Sequence, residues 1–589
     1  MGVPKLFKII LDNFPKSHSK VKGQPIDYFF VDFNSIIYEA WEKVKREYAD
    51  VINGMSKAAI EKKIIDKVVE MNHNMIINVV NPKKMVYFAF DGPPPRGKMV
   101  QQRDRRYKKM YELSIINQIK EDHGVETNEE EPWTTTWITP GTDFMLNVSA
   151  AIEKAIVEEN FPGHLEYVLS DTTVPGEGEH KFLKFLDKLE SSRVCIYSND
   201  GDVIMLVNRF PQHHVYILAK PNQTSRVVKK FYADEKYIYL VVDGLNQGFA
   251  GQFRRLDLKK IDLRRLKIDY IFFTMIGGND FVQHIYFLKM KDEHSFKVMK
   301  GIYQALFPKY GHLIKDDGKF SINQKFLENY LLMLAKQELK WLKEKQNRFE
   351  NPKKRGKQRM SPAEKAAYNA MPEWEKEWQE YQHTEYYKKE HPRYSEFKDE
   401  FRKIDYHQKP NRLWKKQYYQ EFFGINYDNK KALNQVCFQY MKSWVYTLHY
   451  YLDEVPSWGW YYPYHASPLP SDLLNTVRRI KDINTVFKFQ TGFPFKPLDQ
   501  LMMVLPKKMA KEEKFLSPKF IEVMEKYPEY YPDHFEMDVL WGQKYIYSEP
   551  ELPNIDAKKV LGESKKLKLT AEEKRLDKLN KYPLYFGLN

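Results

Sequence analysis

Short apolar runs recur along the early part of the chain, and each one leads directly into acids. Residues 28–31 (Y-F-F-V) end at Asp32, and residues 86–90 (V-Y-F-A-F) end at Asp91. Residues 167–169 (Y-V-L) precede the turn V-P-G-E-G-E-H at 174–180, which carries Glu177 and Glu179. Residues 194–197 (V-C-I-Y) precede Asp200 and Asp202, and Asp280 closes the turn G-G-N-D at 277–280. Helical stretches separate the runs: one covers 34–46, and another ends at Asn81 and Pro82 before the second run. Runs this short, alternating with helices, predict an α/β fold with a mostly parallel twisted sheet flanked by helices. In such sheets ligand sites form at the carboxyl ends of the strands.

Taken singly, each acid has an ordinary explanation. Asp32 could cap the following helix, Asp91 with Gly92 could form a turn, and residues 199–202 (N-D-G-D) are good turn chemistry. Recurrence at one edge of one sheet argues for a joint role. Acids that close repel one another unless cations or protons intervene, so the pattern predicts a divalent-metal site.

With 589 residues, the chain exceeds one ordinary core, and two or more packed units or one elaborated catalytic body are expected. A formal charge of +15 favours a polyanionic partner, nucleic acid or an anionic surface. Cys195 and Cys437 are the only cysteines, too few for a disulfide framework or a cysteine-based zinc module. No apolar run approaches the ~18 residues of a membrane span, and no secretory core is found at the start, so neither export nor membrane insertion is expected. The start M-G lacks the Ser or Thr that a myristoylation site wants at the position of Leu6.

After Asp91 comes P-P-P at 93–95, a stiff lead into a helix over 96–110. On it Lys98, Gln102, Arg105, Arg106 and Lys109 occupy about 100° of arc. A solvated basic face is the bland reading. Because the helix starts just past a proposed metal ligand, its face should look into the same cavity, where guanidinium forks and an ammonium suit a terminal phosphate.

The ordered motifs M-G-V-P-K-L-F at 1–7, D-F-N-S-I-I-Y at 32–38, F-D-G-P-P-P-R-G-K-M-V-Q-Q-R-D-R-R at 90–106, I-T-P-G-T-D-F-M at 138–145, V-P-G-E-G-E-H-K at 174–181, Y-S-N-D-G-D-V-I-M-L at 197–206 and G-G-N-D-F at 277–281 resemble the Xrn family of 5′→3′ exoribonucleases. P-S-W-G-W-Y-Y-P-Y-H at 456–465 and P-F-K-P-L-D-Q-L-M-M-V-L-P at 494–506 resemble that family's second conserved region, so the likeness spans most of the chain. It implies a PIN or flap-nuclease-like core, with a mainly helical, aromatic-rich second region wrapped around it. It also implies that Asp32, Asp91, Glu177, Glu179, Asp200, Asp202 and Asp280 hold Mg²⁺ or Mn²⁺, two ions being expected. Lys98, Gln102, Arg105 and Arg106 match the family's pocket for a 5′-monophosphate. The family has His where this chain has Tyr38, which would stack on the first base with Trp458 or Trp460. The implied activity is processive degradation of 5′-monophosphorylated single-stranded RNA to mononucleotides by a monomer, in the cytoplasm with nuclear residence left open.

Three regions are expected: a catalytic core over 1–345, a charged linker with helical insertion over 346–410, and the second conserved region over 411–589, with a buried aromatic helix over 436–451 and an exposed Lys-rich helical tail over 558–581. Residues 2–14 should pack on the body, 327–342 should be helical, 351–359 should be a basic linker, and 373–394 a charged helix. The chain is expected to lack the additional C-terminal domains of the long cytoplasmic family members. Two other functions stay in view, a flap-type structure-specific DNA nuclease and a non-catalytic RNA-binding scaffold.

Overall fold

The computed structural model describes residues 17–126, 133–207, 209–210, 212–221, 226–245, 253, 261–288, 293–350, 362–381, 397–399, 404–407, 412–539 and 548–587. The expectations for 2–14, for the basic stretch 351–359 and for the charged helix beyond Tyr381 lie outside them.

An eight-stranded sheet organises the molecule. Its strands are β1 (His18–Lys20), β2 (Tyr28–Asp32), β3 (Met85–Ala89), β4 (Glu166–Ser170), β5 (Arg193–Tyr197), β6 (His214–Ala219), β7 (Ile238–Val241) and the C-terminal strand Leu584–Phe586. The spatial order is β1-β7-β6-β5-β2-β3-β4, with Leu584–Phe586 completing the far edge against β4. From β6 to β4 all neighbours are parallel, and β1, β7 and the C-terminal strand pair antiparallel at the two margins. The four runs predicted as strands are therefore β2, β3, β4 and β5, in a mostly parallel sheet.

Successive side chains of each strand enter different cores. Phe30, Tyr87, Val168, Val194 and Ile196 join one apolar layer, while Phe29, Val31, Val86, Phe88, Leu169 and Cys195 join the other. Burial on both faces explains why these strands read as unbroken apolar runs rather than as alternating patterns. Each such large side chain contributes about 1.5–3 kcal/mol on burial. The register is level: Asp32 lies beside Ala89, Ala89 beside Ser170, and Val31 beside Tyr197. All four strands thus release their chains at one edge.

The helix after β2 runs Phe33–Glu47, and the basic helix runs Arg96–Asp122, well beyond the predicted end at residue 110. The back of the basic helix is pinned by the C-terminal part of the chain: Arg103 donates to the carbonyls of Pro553 and Tyr530, and Arg96 to that of Ile555. Helix Gln324–Glu350 covers and extends the predicted 327–342, and the aromatic helix is Lys430–Leu452. The Lys-rich tail differs from expectation. It forms two short helices, Ala557–Ser564 and Ala571–Leu576, whose Val560 and Leu561 are buried against helices Pro497–Val504 and Pro518–Glu525. Its lysines hid an amphipathic pattern with few apolar positions.

Two loops at the level edge are zipped together by Gly92 N–H donating to Gly176 O and Gly176 N–H donating to Pro93 O. Gly176 has φ +104, and a Cβ on Gly92 would lie 1.8 Å from the Val174 carbonyl oxygen. Gly92→Ala must part the loops that carry Asp91 and Glu177. We expect a loss of about 1–3 kcal/mol, typical of overpacking, read as a lower melting temperature, with the sheet retained by circular dichroism. Unchanged melting would refute the account of this junction.

Candidate active site

Three of the acids are almost wholly buried: Asp32 is 7% exposed, Glu177 7% and Glu179 8%. Asp32 stands at the N-cap of its helix but makes no capping bond. Its Oδ2 instead accepts from the hydroxyls of Ser35 (2.9 Å) and Ser198 (2.8 Å). Burial, and next the Asp91 charge, push its carboxyl up to about 7 against those two hydroxyls. Asp91 accepts from Asn34 Nδ2 at 2.9 Å and from the Gly178 N–H at 2.8 Å. That N–H belongs to the first residue of helix Gly178–Leu186, so a helix N-terminus faces the acids. Burial and then Glu177 raise Asp91, while the Gly178 N–H, Lys98 and Lys181 oppose the rise.

Glu179 is held well above the usual carboxylate range, first by burial and then by Glu177, Asp32, Asp91 and Asp200. Those four neighbours place acids from the ends of four strands, β2 to β5, around one point. Glu177 accepts from the Tyr450 hydroxyl and pairs with Lys98 Nζ at 2.5 Å. Asp280 pairs with the same ammonium at 2.6 Å and accepts from Gln101 Nε2. Six of the seven predicted acids therefore converge. Asp202 opens the helix Asp202–Val207, and its side chain lies outside the described residues. Lys181, buried below, donates to the carbonyls of Phe90 (2.6 Å) and Asp171 (2.9 Å), tying the ends of β3 and β4 together.

Among the described residues no three of these side chains form a ready-made metal cage. The donor chemistry nonetheless suits a hard divalent cation: buried carboxylates crowded together, several with their charged form disfavoured. Lys98 meets part of that demand. Burial works against its charge, but Asp280, Glu177, Glu179 and Asp200 together raise it well above the ordinary lysine value.

Farther along the same helix, Gln102 accepts from Gln500 Nε2 at 3.0 Å, and Arg106 donates to Thr139 Oγ1 at 2.8 Å. Lys109 donates to Thr134 Oγ1 at 3.0 Å, and Arg105 is exposed. Burial pushes the Arg106 guanidinium down to about 10. Tyr38 stands between the two groups. Enclosure in the cleft raises its hydroxyl, which feels Arg106, Asp91, Arg105 and Asp32, yet 46% of the residue is open to solvent. The two tryptophans differ. The Trp460 ring packs at 4.8 Å from Tyr446 and 5.8 Å from Phe489. Trp458, half-buried like Trp460, is held by its main chain, whose N–H donates to Thr491 O and whose carbonyl accepts from Arg96 N–H, both at 2.8 Å.

The spacing argument placed Lys98 with the phosphate-facing cations, whereas its ammonium lies among the acids. Sequence reasoning missed Asn34, Ser35, Ser198, Thr139 and Gln500, although all of them fall inside or beside motifs already singled out. It also missed Gln101 and Tyr450. Gln101 lies inside the motif at 90–106 but off the cationic stripe, and Tyr450 is one of many aromatics on its helix, so spacing singled out neither.

A family model described as XRN 5'-3' exonuclease N-terminus matches residues 1–220, and one described as Xrn1 helical domain matches residues 260–587. The chain is 28% identical over 607 residues to 5'-3' exoribonuclease 1 of Homo sapiens, covering 95% of this chain and 34% of the relative. It is 25% identical over 697 residues to 5'-3' exoribonuclease 1 of Schizosaccharomyces pombe, covering 100% of this chain and 50% of the relative. To 5'-3' exoribonuclease 2 of Gallus gallus it is 25% identical over 709 residues, covering 100% and 72%. The chain thus spans between 34% and 50% of the length of the first two relatives.

Because Asp32 and Glu179 hold raised values, the folded protein binds more protons than the unfolded chain between about pH 4 and pH 7. Their contribution to stability therefore falls as pH rises through that window. With chelator present, Asp32→Asn should raise the melting temperature at pH 7.5 by about 2–4 °C and flatten its decline from pH 5. A lower melting temperature at pH 7.5 would show that the charged acid is stabilising.

Proposed function

The chain belongs to the Xrn family, and from that premise we propose that it is a metal-dependent, processive 5′→3′ exoribonuclease acting on 5′-monophosphorylated single-stranded RNA. The observation that carries the reading is the meeting of six acids with a basic helix face across Tyr38. Asp32, Asp91, Glu177, Glu179, Asp200, Asp202 and Asp280 would hold Mg²⁺ or Mn²⁺. Held there, such ions would supply Lewis-acid activation of a water and charge stabilisation at the leaving oxygen.

This chain's own residues set where the cut falls. Gln102, Arg105 and Arg106 would grip the 5′-phosphate, with Gln500 and Thr139 fixing the first and last of them. Tyr38 offers an open ring to the first base. Trp458 is the partner that fits, because the Trp460 ring is already taken up by Tyr446 and Phe489. Water adds to the phosphorus of the first internucleotide linkage, and the bond to the 3′ oxygen of the first nucleotide breaks. That nucleotide leaves with its own 5′-phosphate and a 3′-hydroxyl. The shortened strand begins with a new 5′-phosphate, so each cut regenerates the group that the basic face binds, which favours processivity.

The deciding experiment is digestion of 3′-labelled RNA carrying a 5′-phosphate or a 5′-hydroxyl, with and without Mg²⁺. Losing two charge-assisted hydrogen bonds costs about 3–6 kcal/mol, a preference of roughly 10²- to 10⁴-fold for the phosphate end. Asp200→Asn should abolish decay while retaining RNA binding, which a non-catalytic scaffold would not predict. Equal rates on both ends, or faster cleavage of flapped DNA, would refute the reading. The two tryptophans give a separate check. Trp458→Ala should weaken RNA binding about 5- to 150-fold, the range of one lost base stack, at unchanged melting temperature, whereas Trp460→Ala should lower the melting temperature first. The reverse pattern would exchange their roles.

A further inference from the structure

Lys98 Nζ lies 2.5 Å from Glu177 Oε2 and 2.6 Å from Asp280 Oδ2, so it engages oxygens through which both acids would hold a divalent cation. Neither carboxylate turns away easily. The other oxygen of Asp280 accepts from Gln101, and the other oxygen of Glu177 accepts from the Tyr450 hydroxyl. Yet Lys98 also stands on the helix face of Gln102, Arg105 and Arg106, one turn before Gln102. Its flexible four-carbon stem can carry the ammonium from one set of anions to the other without moving the backbone. Two anionic partners therefore compete for one cation, and two cations compete for the same acids.

We propose that Lys98 is a shuttle that couples recognition of the 5′-phosphate to binding of the divalent ion. While the phosphate site is empty, the ammonium bridges Glu177 and Asp280. A 5′-phosphate on the basic face draws it away and releases those oxygens to the metal. Linkage makes the effect reciprocal: the phosphate tightens the metal and the metal tightens the phosphate. A 5′-hydroxyl strand would then fail twice, in its own binding and in completing the metal site. This inference rests on the metal-dependent reading above.

The test measures Mg²⁺ binding by calorimetry on the full chain. The probes are a cleavage-resistant 2′-O-methyl phosphorothioate tetranucleotide with a 5′-phosphate, its 5′-hydroxyl counterpart, and Mg²⁺ alone. In the wild type, the phosphorylated probe should tighten Mg²⁺ about 5- to 50-fold over the hydroxyl probe. Lys98→Met should bind Mg²⁺ alone about tenfold more tightly than wild type, and the difference between the probes should largely vanish. Because Lys98→Met leaves two facing acids without their cation, Lys98→Arg serves as the charge-retaining partner. A guanidinium spanning both carboxylates should weaken Mg²⁺ and keep the difference between probes. Lys98→Met binding Mg²⁺ no more tightly than wild type, Lys98→Arg matching wild type, or equal phosphate effects in all three proteins would overturn the shuttle while leaving the metal site standing. No Mg²⁺ binding in any of them would overturn the metal-dependent reading and the shuttle together.

Discussion

Crowding carboxylates inside a protein is unfavourable twice over, through lost hydration and through mutual repulsion. At the level edge of this sheet both penalties apply to Asp32, Asp91 and Glu179 at once. The surrounding structure is arranged to bear them. Two serine hydroxyls serve Asp32, an asparagine amide and a helix N-terminus serve Asp91, and an ammonium serves Glu177 and Asp280. Only Lys98 brings a full charge, shared between two acids, and the other donors orient carboxylate oxygens without neutralising them. A site built this way stays short of positive charge, and on the proposed reading that shortage is what would hold a hard cation there.

Such an arrangement needs a scaffold that does not relax, and the sheet supplies one. Both faces of β2 to β5 are buried, so the strands cannot slip by one residue without exchanging their two cores. The basic helix is equally constrained. Its back is fastened to carbonyls of Pro553, Tyr530 and Ile555, far along the chain, while its front meets the acids and Tyr38. The C-terminal region therefore works inside the site. Gln500 positions Gln102, Tyr450 positions Glu177, and Leu584–Phe586 closes the sheet.

How much of this could be read from the chain depended on the range of the signal. The four central strands were legible because burial on both faces makes each one a continuous apolar run, and the acids were legible because they follow those runs or lie on glycine-flanked turns. The marginal strands were not. His18–Lys20 and Leu584–Phe586 have three residues each and exist through pairing with β7 and β4 rather than through any pattern of their own. Angular spacing on the basic helix correctly grouped its cations on one face, but it gives only direction around an axis. What lies opposite each residue is a tertiary fact, so Lys98 was grouped with Arg105 and Arg106 although its ammonium reaches the acids. Spacing left the choice between Trp458 and Trp460 open for the same reason, since what their rings pack against is a tertiary fact.

The helix also sets a length. Its rise of about 1.5 Å per residue puts Gln102 about 6 Å, and Arg106 about 12 Å, along the axis from Lys98. On the proposed reading, Gln101 keeps this end of the helix on Asp280, beside the scissile linkage, whichever anion the Lys98 ammonium meets, while the other end grips the terminal phosphate. Both contacts are made from a single rigid element, so the distance between the recognised end and the cut is not free to vary. A longer 5′ end would overrun the interval and a missing phosphate would leave its far end unengaged. On that reading, release of one nucleotide at a time would follow from helix geometry and would require no contact that reads the identity of the base.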